Sequence, residues 1–145
     1  MRNIVLLYND RDRSAVGSVR GELLKRSRGI SIWMASEDLT AFGDIFEQIE
    51  AAIQSASGVA IFLGRHGLGR FQENIELVAV SIERWQQGAR YGCLLVHLEP
   101  GVEVPRRLLG FVAVNHDGML ASIAALAEAI AHKFGLTELR EASSL

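Results

Sequence analysis

The chain has 145 residues, the length of one domain, so two independent hydrophobic cores are not expected. Hydrophobic residues make up 49% of it, charged residues 22%, and there are only two prolines, which excludes a disordered or collagen-like chain. Because 15 basic residues face 17 acidic ones, the net charge of −2 provides no overall field that would attract nucleic acid or an anionic membrane. Thirteen of the basic residues are Arg, a bias that fits an anion site, an interface or codon usage.

Cys93 is the single cysteine, so neither an internal disulfide nor a cysteine-based metal site is expected. The first apolar run, Ile4 to Leu7, is too short for a signal sequence or a membrane span. These features predict a soluble, cytoplasmic protein, or a domain of a larger one.

The first unit of the chain has a strand followed by a helix. Ile4 to Leu7 is a continuous apolar run, which is typical of a strand buried on both faces. Helical spacing then begins behind Ser14, a predicted N-cap, and Ser27 to Gly29 ends the helix. The apolar positions of this helix are Val16, Val19, Leu23 and Leu24.

The next unit repeats this order. Ile30 to Trp33 is a predicted strand, 35–43 a polar loop, and Asp44 the predicted cap of a second helix. Val59 to Leu63 is a third strand. The apolar residues of the second helix, which are spaced so that they share one face, are Ile45, Phe46, Ile49, Ala52, Ile53 and Ala56.

A glycine-rich loop, Gly64-x-x-Gly67-x-Gly69, follows the third strand and precedes a predicted helix from Phe71 to Trp85. Glycines there allow close approach to a phosphate, although a plain flexible connection explains them equally well. Further strands are predicted at Cys93 to Leu98 and Leu109 to Val114, a last helix at Met119 to Phe134, and a tail at 136–145.

Strands that alternate with amphipathic helices predict an α/β fold: a flavodoxin-like, five-stranded parallel sheet of order 2-1-3-4-5, with helices on both faces. Ligands of such sheets bind beyond the carboxyl ends of the strands. Two carboxylates, Glu73 and Glu76, follow the glycine loop and could stabilise an oxocarbenium-like ribose. Favourable interaction with a helix dipole explains them as well. Trp33 and Phe42 could stack a base at this edge. For Trp33 the alternative is a place in the core, whereas Phe42, next to Gly43, is the better candidate for the tip of a mobile loop.

Val5 to Asp12 resembles the first-strand signature of bacterial TIR (Toll/interleukin-1 receptor) domains, Phe-Ile-Ser-Tyr-Ser-x-x-Asp. Tyr8 and Asp12 match it, whereas Leu7 and Asn9 replace its serines. The second signature, Gly-x-x-Val-Trp-x-Asp-x-x-x-Leu-x-x-Gly-x-x-Trp, is similar to the series Gly29, Ile32, Trp33, Leu39, Gly43 and Phe46, with Ala35 in place of Asp and one additional residue between Leu39 and Gly43.

The third TIR signature, Gly-x-x-Gly-x-Gly-x-Trp-Gln followed by Glu and an aliphatic residue, is similar to Gly64 to Gln72 with Glu76 and Leu77 behind it. Phe71 takes the place of the Trp, and Glu76 lies one residue beyond the usual position of the glutamate. The resemblance makes residues 1–135 a TIR-like domain.

The resemblance implies cleavage of the nicotinamide–ribose bond of NAD⁺, giving ADP-ribose or its cyclised isomer. It implies Glu76 as the catalytic residue, with Glu73 as the second choice. The substrate would be held by Tyr8, Asn9, Asp12, Trp33, Phe42, Gly43 and Phe71. NAD⁺ is then a substrate, and no metal or other cofactor is expected.

In cellular terms, the resemblance implies an antiphage-defence effector that self-assembles through loop 35–43 and works with a fused or separate sensor. The alternative is a non-catalytic TIR module that only mediates interactions, a role favoured by Ala35 and by the shifted glutamate. A nucleoside deoxyribosyltransferase with the same type of fold is a third possibility.

Overall fold

The computed structural model describes residues 2–34, 44–68, 82–83, 92–115, 117–120 and 122–136. Five strands form one parallel sheet of order β2-β1-β3-β4-β5, the predicted flavodoxin-like arrangement. The strands are β1 (Arg2–Leu7), β2 (Ile30–Met34), β3 (Gly58–Leu63), β4 (Cys93–His97) and β5 (Val112–Val114).

The three described helices are α1 (Arg13–Arg26), α2 (Ile45–Gln54) and α3 (Ile123–Lys133). Helices α1 and α3 pack on one face of the sheet and α2 on the other, so apolar strand residues are covered on both sides. All residues of β3 and β4 are buried, as expected for the middle of such a sheet.

Helix α1 begins differently from the prediction. Ser14 is not its N-cap, because a 3-10 turn at Asp10–Asp12 leads directly into Arg13. Asn9 caps that turn instead by accepting a hydrogen bond from the backbone of Arg11, and Asp12 stands at the N-cap position without a capping side-chain bond. The chain thereby places two polar side chains above β1 before the helix starts.

Helix α2 is capped as predicted, because the Asp44 carboxylate accepts from the backbone nitrogens of Phe46 and Glu47. The buried stripes are narrower than predicted. Leu24 of α1 and Ile45 of α2 are 42% and 41% exposed, because each lies at the margin of a face that is buried only along its middle.

The last two elements start later than predicted. Leu109 does not open β5, because it follows a 3-10 turn at Arg106–Leu108 and is 66% exposed. Met119 does not open α3, because Ser122 caps that helix by accepting from the backbone of Ala125. Apolar character alone misplaced both starts, since neither residue packs against the sheet.

The packed domain extends one residue beyond its predicted end at position 135. Gly135 has φ +73°, and the backbone nitrogens of Gly135 and Leu136 donate to the carbonyls of His132 and Ala131. This pair of bonds is a Schellman cap, which turns Leu136 back into the core. Leu136 therefore belongs to the packed domain rather than to the tail.

Candidate functional site

The carboxyl ends of β1 and β3 form the point at which the strand order reverses. From β1 the chain crosses to β2 on one side and then returns to β3 on the other. A crevice opens at such a point in flavodoxin-like sheets, and ligands bind there. The segments that border it are Tyr8–Asp12 after β1 and Gly64–Leu68 after β3.

Asn9 connects these two segments. Its side chain is buried, its Oδ1 accepts from the backbone nitrogen of Arg11 (2.9 Å), and its Nδ2 donates to the carbonyl of His66 (2.8 Å). Since both ends of the amide are engaged within the protein, Asn9 positions the glycine loop. A ligand at this point would meet the backbone around Tyr8 and Asn9 rather than this amide.

Asp12 lies against the start of the glycine loop. Its Oδ2 and Oδ1 atoms are 3.2 and 3.4 Å from the point that a Cβ of Gly64 would occupy. A side chain at position 64 would crowd the carboxylate, so glycine at this position permits the contact. The Oδ2 atom is buried and has no hydrogen-bond partner among the described residues.

The electrostatic surroundings of Asp12 are mixed. Burial raises the pKa of its carboxyl above the ordinary value, and the negative charge of Glu99 adds to this shift. His66 and Arg65 oppose it. Arg65 also pairs loosely with Glu99, at 3.8 Å between Nε and Oε1. Both signs of charge therefore surround the crevice at its β3–β4 side.

Two aromatic residues of the predicted site lie partly or wholly in the core. Tyr8 is 3% exposed and belongs to the cluster beneath α1 and α3. Trp33 is half-buried on the opposite face, where it packs against the cluster beneath α2 and lines a cavity of about 260 Å³ with Asn3 and Ser55. The backbone at Tyr8 reaches the crevice, whereas the Trp33 ring lies alongside α2.

At the far side of the sheet edge, hydrogen bonds that the sequence does not predict connect the ends of β4 and β5. The Asn115 side chain donates to the carbonyl of His97 (3.1 Å) and accepts from the backbone of Leu120 (3.0 Å), joining the ends of β4 and β5. Gly118 packs so closely on Pro100 that a Cβ would approach that ring to 2.8 Å. The Asn and Gly residue types indicate a turn, but its partners are distant in sequence.

Five residues of the predicted site lie outside the described part of the chain: Phe42, Gly43, Phe71, Glu73 and Glu76. The predicted helix from Phe71 to Trp85 lies there too, except for Ile82 and Glu83, which are helical. Loop 35–43 is also outside the described residues. The structure therefore describes one border of the crevice, formed by Asn9, Asp12 and the first part of the glycine loop.

The thiol of Cys93, the single cysteine, is not available as a nucleophile in this fold. Cys93 is buried in β4, and burial raises the pKa of its thiol to about 12, which keeps it protonated at neutral pH. Among the described residues, no group of three His, Cys, Asp or Glu side chains is arranged to hold a metal ion. Within the same part of the chain, no helix has the length and apolar character needed to cross a bilayer.

Comparison of the sequence with models of protein families and with curated proteins finds no match to either. The resemblance to TIR domains accordingly rests on the three motifs and on their order along the chain. The structure independently assigns this chain the α/β, flavodoxin-like architecture.

Proposed function

We propose that the protein is an NAD⁺ glycohydrolase that cleaves the bond between nicotinamide and ribose. The observation that carries the proposal is the crevice at the strand-order reversal. There Asn9 ties the β1 segment to the glycine loop and Asp12 lies against Gly64. In doubly wound sheets dinucleotides bind at such an edge, where glycine allows the backbone to approach the ligand closely.

The chemistry requires stabilisation of a cation. When the C–N bond breaks, its electron pair moves to the pyridinium nitrogen, so nicotinamide leaves as a neutral molecule and the ribose acquires oxocarbenium character. A carboxylate near the anomeric carbon stabilises this charge. In the proposal Glu76 supplies that carboxylate, on the strength of its place in the third motif.

Two nucleophiles can complete the reaction. Water attacks the anomeric carbon and loses a proton, which yields ADP-ribose; attack by the adenine ring of the same molecule yields a cyclised isomer. The Asp12 carboxylate adds negative charge beside the crevice, and the backbone near Tyr8 and Asn9, together with loop 35–43, holds the nicotinamide ribose.

The biological role that we propose is that of an antiphage-defence effector, which depletes NAD⁺ once copies assemble through loop 35–43. The three motifs alone suggest this role, and the cleavage chemistry can be tested independently of it.

The experiment measures nicotinamide release from NAD⁺ by concentrated protein. We compare the wild type with Glu76→Gln, Glu73→Gln and the control Glu50→Gln, which alters an exposed position on α2. We expect Glu76→Gln to lower release at least about a hundredfold, since it removes a carboxylate that acts in the transition state, and Glu50→Gln to leave release unchanged.

Two results would change the proposal. If release persists in Glu76→Gln but is lost in Glu73→Gln, the catalytic carboxylate is Glu73. If the wild type releases no nicotinamide even when light scattering shows that it is assembled, the enzymatic proposal fails and a non-catalytic interaction module takes its place.

A further inference from the structure

A second feature of the carboxyl edge is a cavity of about 450 Å³ beside the glycine loop. It lies between Gly64, Arg65 and Gly67 on one side and the segment 102–106, which follows β4, on the other. Pockets that bind small molecules have volumes of about 300–1,000 Å³. The cavity therefore has room for a nucleotide-sized group.

The walls of this cavity combine three kinds of chemistry. Leu63, Val104 and Leu109 supply apolar surface, Arg65 and Arg106 supply guanidinium groups, and Glu103 supplies a carboxylate. A nucleotide presents the complementary set: a flat base for apolar contact, phosphates for guanidinium groups, and a ribose diol that donates to a carboxylate.

The positive groups can exchange their present contacts for a phosphate. Arg65 is bound only loosely to Glu99, at 3.8 Å, and the two side chains are 75% and 41% exposed. Exposed ion pairs of this kind contribute little to stability, so replacing the carboxylate by a phosphate costs little. Arg106 is an exposed residue of the 3-10 turn at Arg106–Leu108 and lines the cavity from the segment after β4.

The glycine loop also contributes backbone to the wall of the cavity, at Gly64 and Gly67. Gly67 has φ +70°, a conformation that side chains disfavour, and its nitrogen donates to the carbonyl of Gly64 across a tight turn. Since position 67 has no side chain and lines the cavity, a ligand there can approach this turn closely.

From these observations we propose that the cavity is a nucleoside diphosphate site, which holds the ADP half of the dinucleotide. This assignment of the ADP half rests on the proposed function. Gly64 links the two regions, since it packs against the Asp12 carboxylate and also lines the cavity. One extended dinucleotide can thus place its ADP half beside Arg65 and Arg106 and its nicotinamide ribose near Asp12.

The test is titration of the protein with ADP by isothermal titration calorimetry. We expect one ADP to bind per chain. Arg106→Ala should weaken binding by about tenfold or more, because a charge-assisted bond to phosphate is lost. Arg28→Ala removes an exposed arginine that does not line the cavity and should bind as the wild type does. Leu109→Glu places a negative charge at an exposed position of the cavity and should also weaken binding.

In the nicotinamide-release assay, ADP should compete with NAD⁺, and Arg106→Ala should raise KM while kcat is retained. Absence of ADP binding, or equal affinities in Arg106→Ala and Arg28→Ala, would overturn the cavity assignment and leave the Glu76 experiment unaffected. The protein could also bind ADP in a manner that depends on Arg106 and yet release no nicotinamide. That result would support the nucleoside diphosphate site and refute the proposed cleavage of NAD⁺.

Discussion

Asp12 shows how a single residue connects the fold to the candidate site. It stands at the N-cap position of α1, yet its carboxylate makes no capping bond and lies against Gly64 instead. Burial raises the pKa of this carboxyl in the folded protein, so the folded state binds a proton more tightly than the unfolded state does. Its contribution to stability is therefore larger at low pH and declines as the pH rises from the ordinary Asp pKa through the raised one.

The raised pKa of the Asp12 carboxyl predicts the effect of Asp12→Asn on stability. The amide carries no charge that burial would disfavour, and Asn is as good an N-cap as Asp. We expect Asp12→Asn to be more thermostable than the wild type at pH 7, and the difference in Tm to shrink as the pH falls towards 4. Nicotinamide release should decrease, because the negative charge beside the crevice is lost.

The measurements are thermal unfolding between pH 4 and 8 and the nicotinamide assay at pH 7. If the difference in Tm between Asp12→Asn and the wild type grew at low pH, the pKa of Asp12 would not be raised in the folded protein. Glu50→Gln, an exposed carboxyl on α2, is the matched control and should follow the wild type at each pH.

At the scale of the elements, the packing of β3 against α3 depends on a glycine at the first residue of the strand. A Cβ at Gly58 would lie 2.8 Å from Cε1 of Phe134 and 3.2 Å from Cδ1 of Ile4. Both neighbours are buried, so neither can move away freely. The helix and the central strands therefore approach as closely as they do because position 58 has no side chain.

We accordingly predict that Gly58→Ala destabilises the protein by about 1–3 kcal/mol, the usual cost of overpacking. Gly21→Ala is the matched control: Gly21 is an exposed residue within α1 with nothing within 4 Å of its added Cβ. That change should stabilise the protein by about 0.5–1 kcal/mol, because alanine loses less backbone entropy in a helix. Urea unfolding measures both, and equal effects would refute the packing argument.

The sequence predicted some elements better than others, for a physical reason. The runs around Ile4 and Val59 are buried on both faces, so their continuous apolar character matched the observed strands β1 and β3. The starts of β5 and α3 were predicted too early, because Leu109 and Met119 are apolar but exposed. Hydrophobicity alone does not distinguish a core residue from an exposed one.

For the whole molecule, the sheet separates two apolar clusters and brings the loops that follow its strands to one edge. Only one border of the candidate crevice, from Asn9 and Asp12 to the glycine loop, is formed by described residues. In the proposed mechanism, loop 35–43 contributes to substrate binding and to contacts between copies. Catalysis and assembly are then coupled.

This coupling predicts that nicotinamide release per molecule increases with protein concentration. Below the concentration at which copies associate, the loop of each copy lacks its neighbour and release should be slow. The measurement is release over a hundredfold range of protein concentration, with association followed by analytical ultracentrifugation. A constant rate per molecule across the onset of association would contradict the coupling.

The sequence by itself determined the class of the fold and the order of its elements, because burial on both faces of a parallel sheet leaves a continuous apolar pattern in each central strand. It also identified the tract from Tyr8 to Asp12 and the glycine loop as neighbours of the sheet edge.

Only the tertiary structure decided how these groups meet. The bond from Asn9 to the carbonyl of His66 joins residues 57 positions apart, and the close contact of the Asp12 carboxylate with the loop is permitted by the glycine at position 64. The cavity between the glycine loop and the segment after β4 likewise forms from distant parts of the chain. Such contacts leave no periodic pattern in a sequence, since each depends on how separate elements pack rather than on the spacing within one of them.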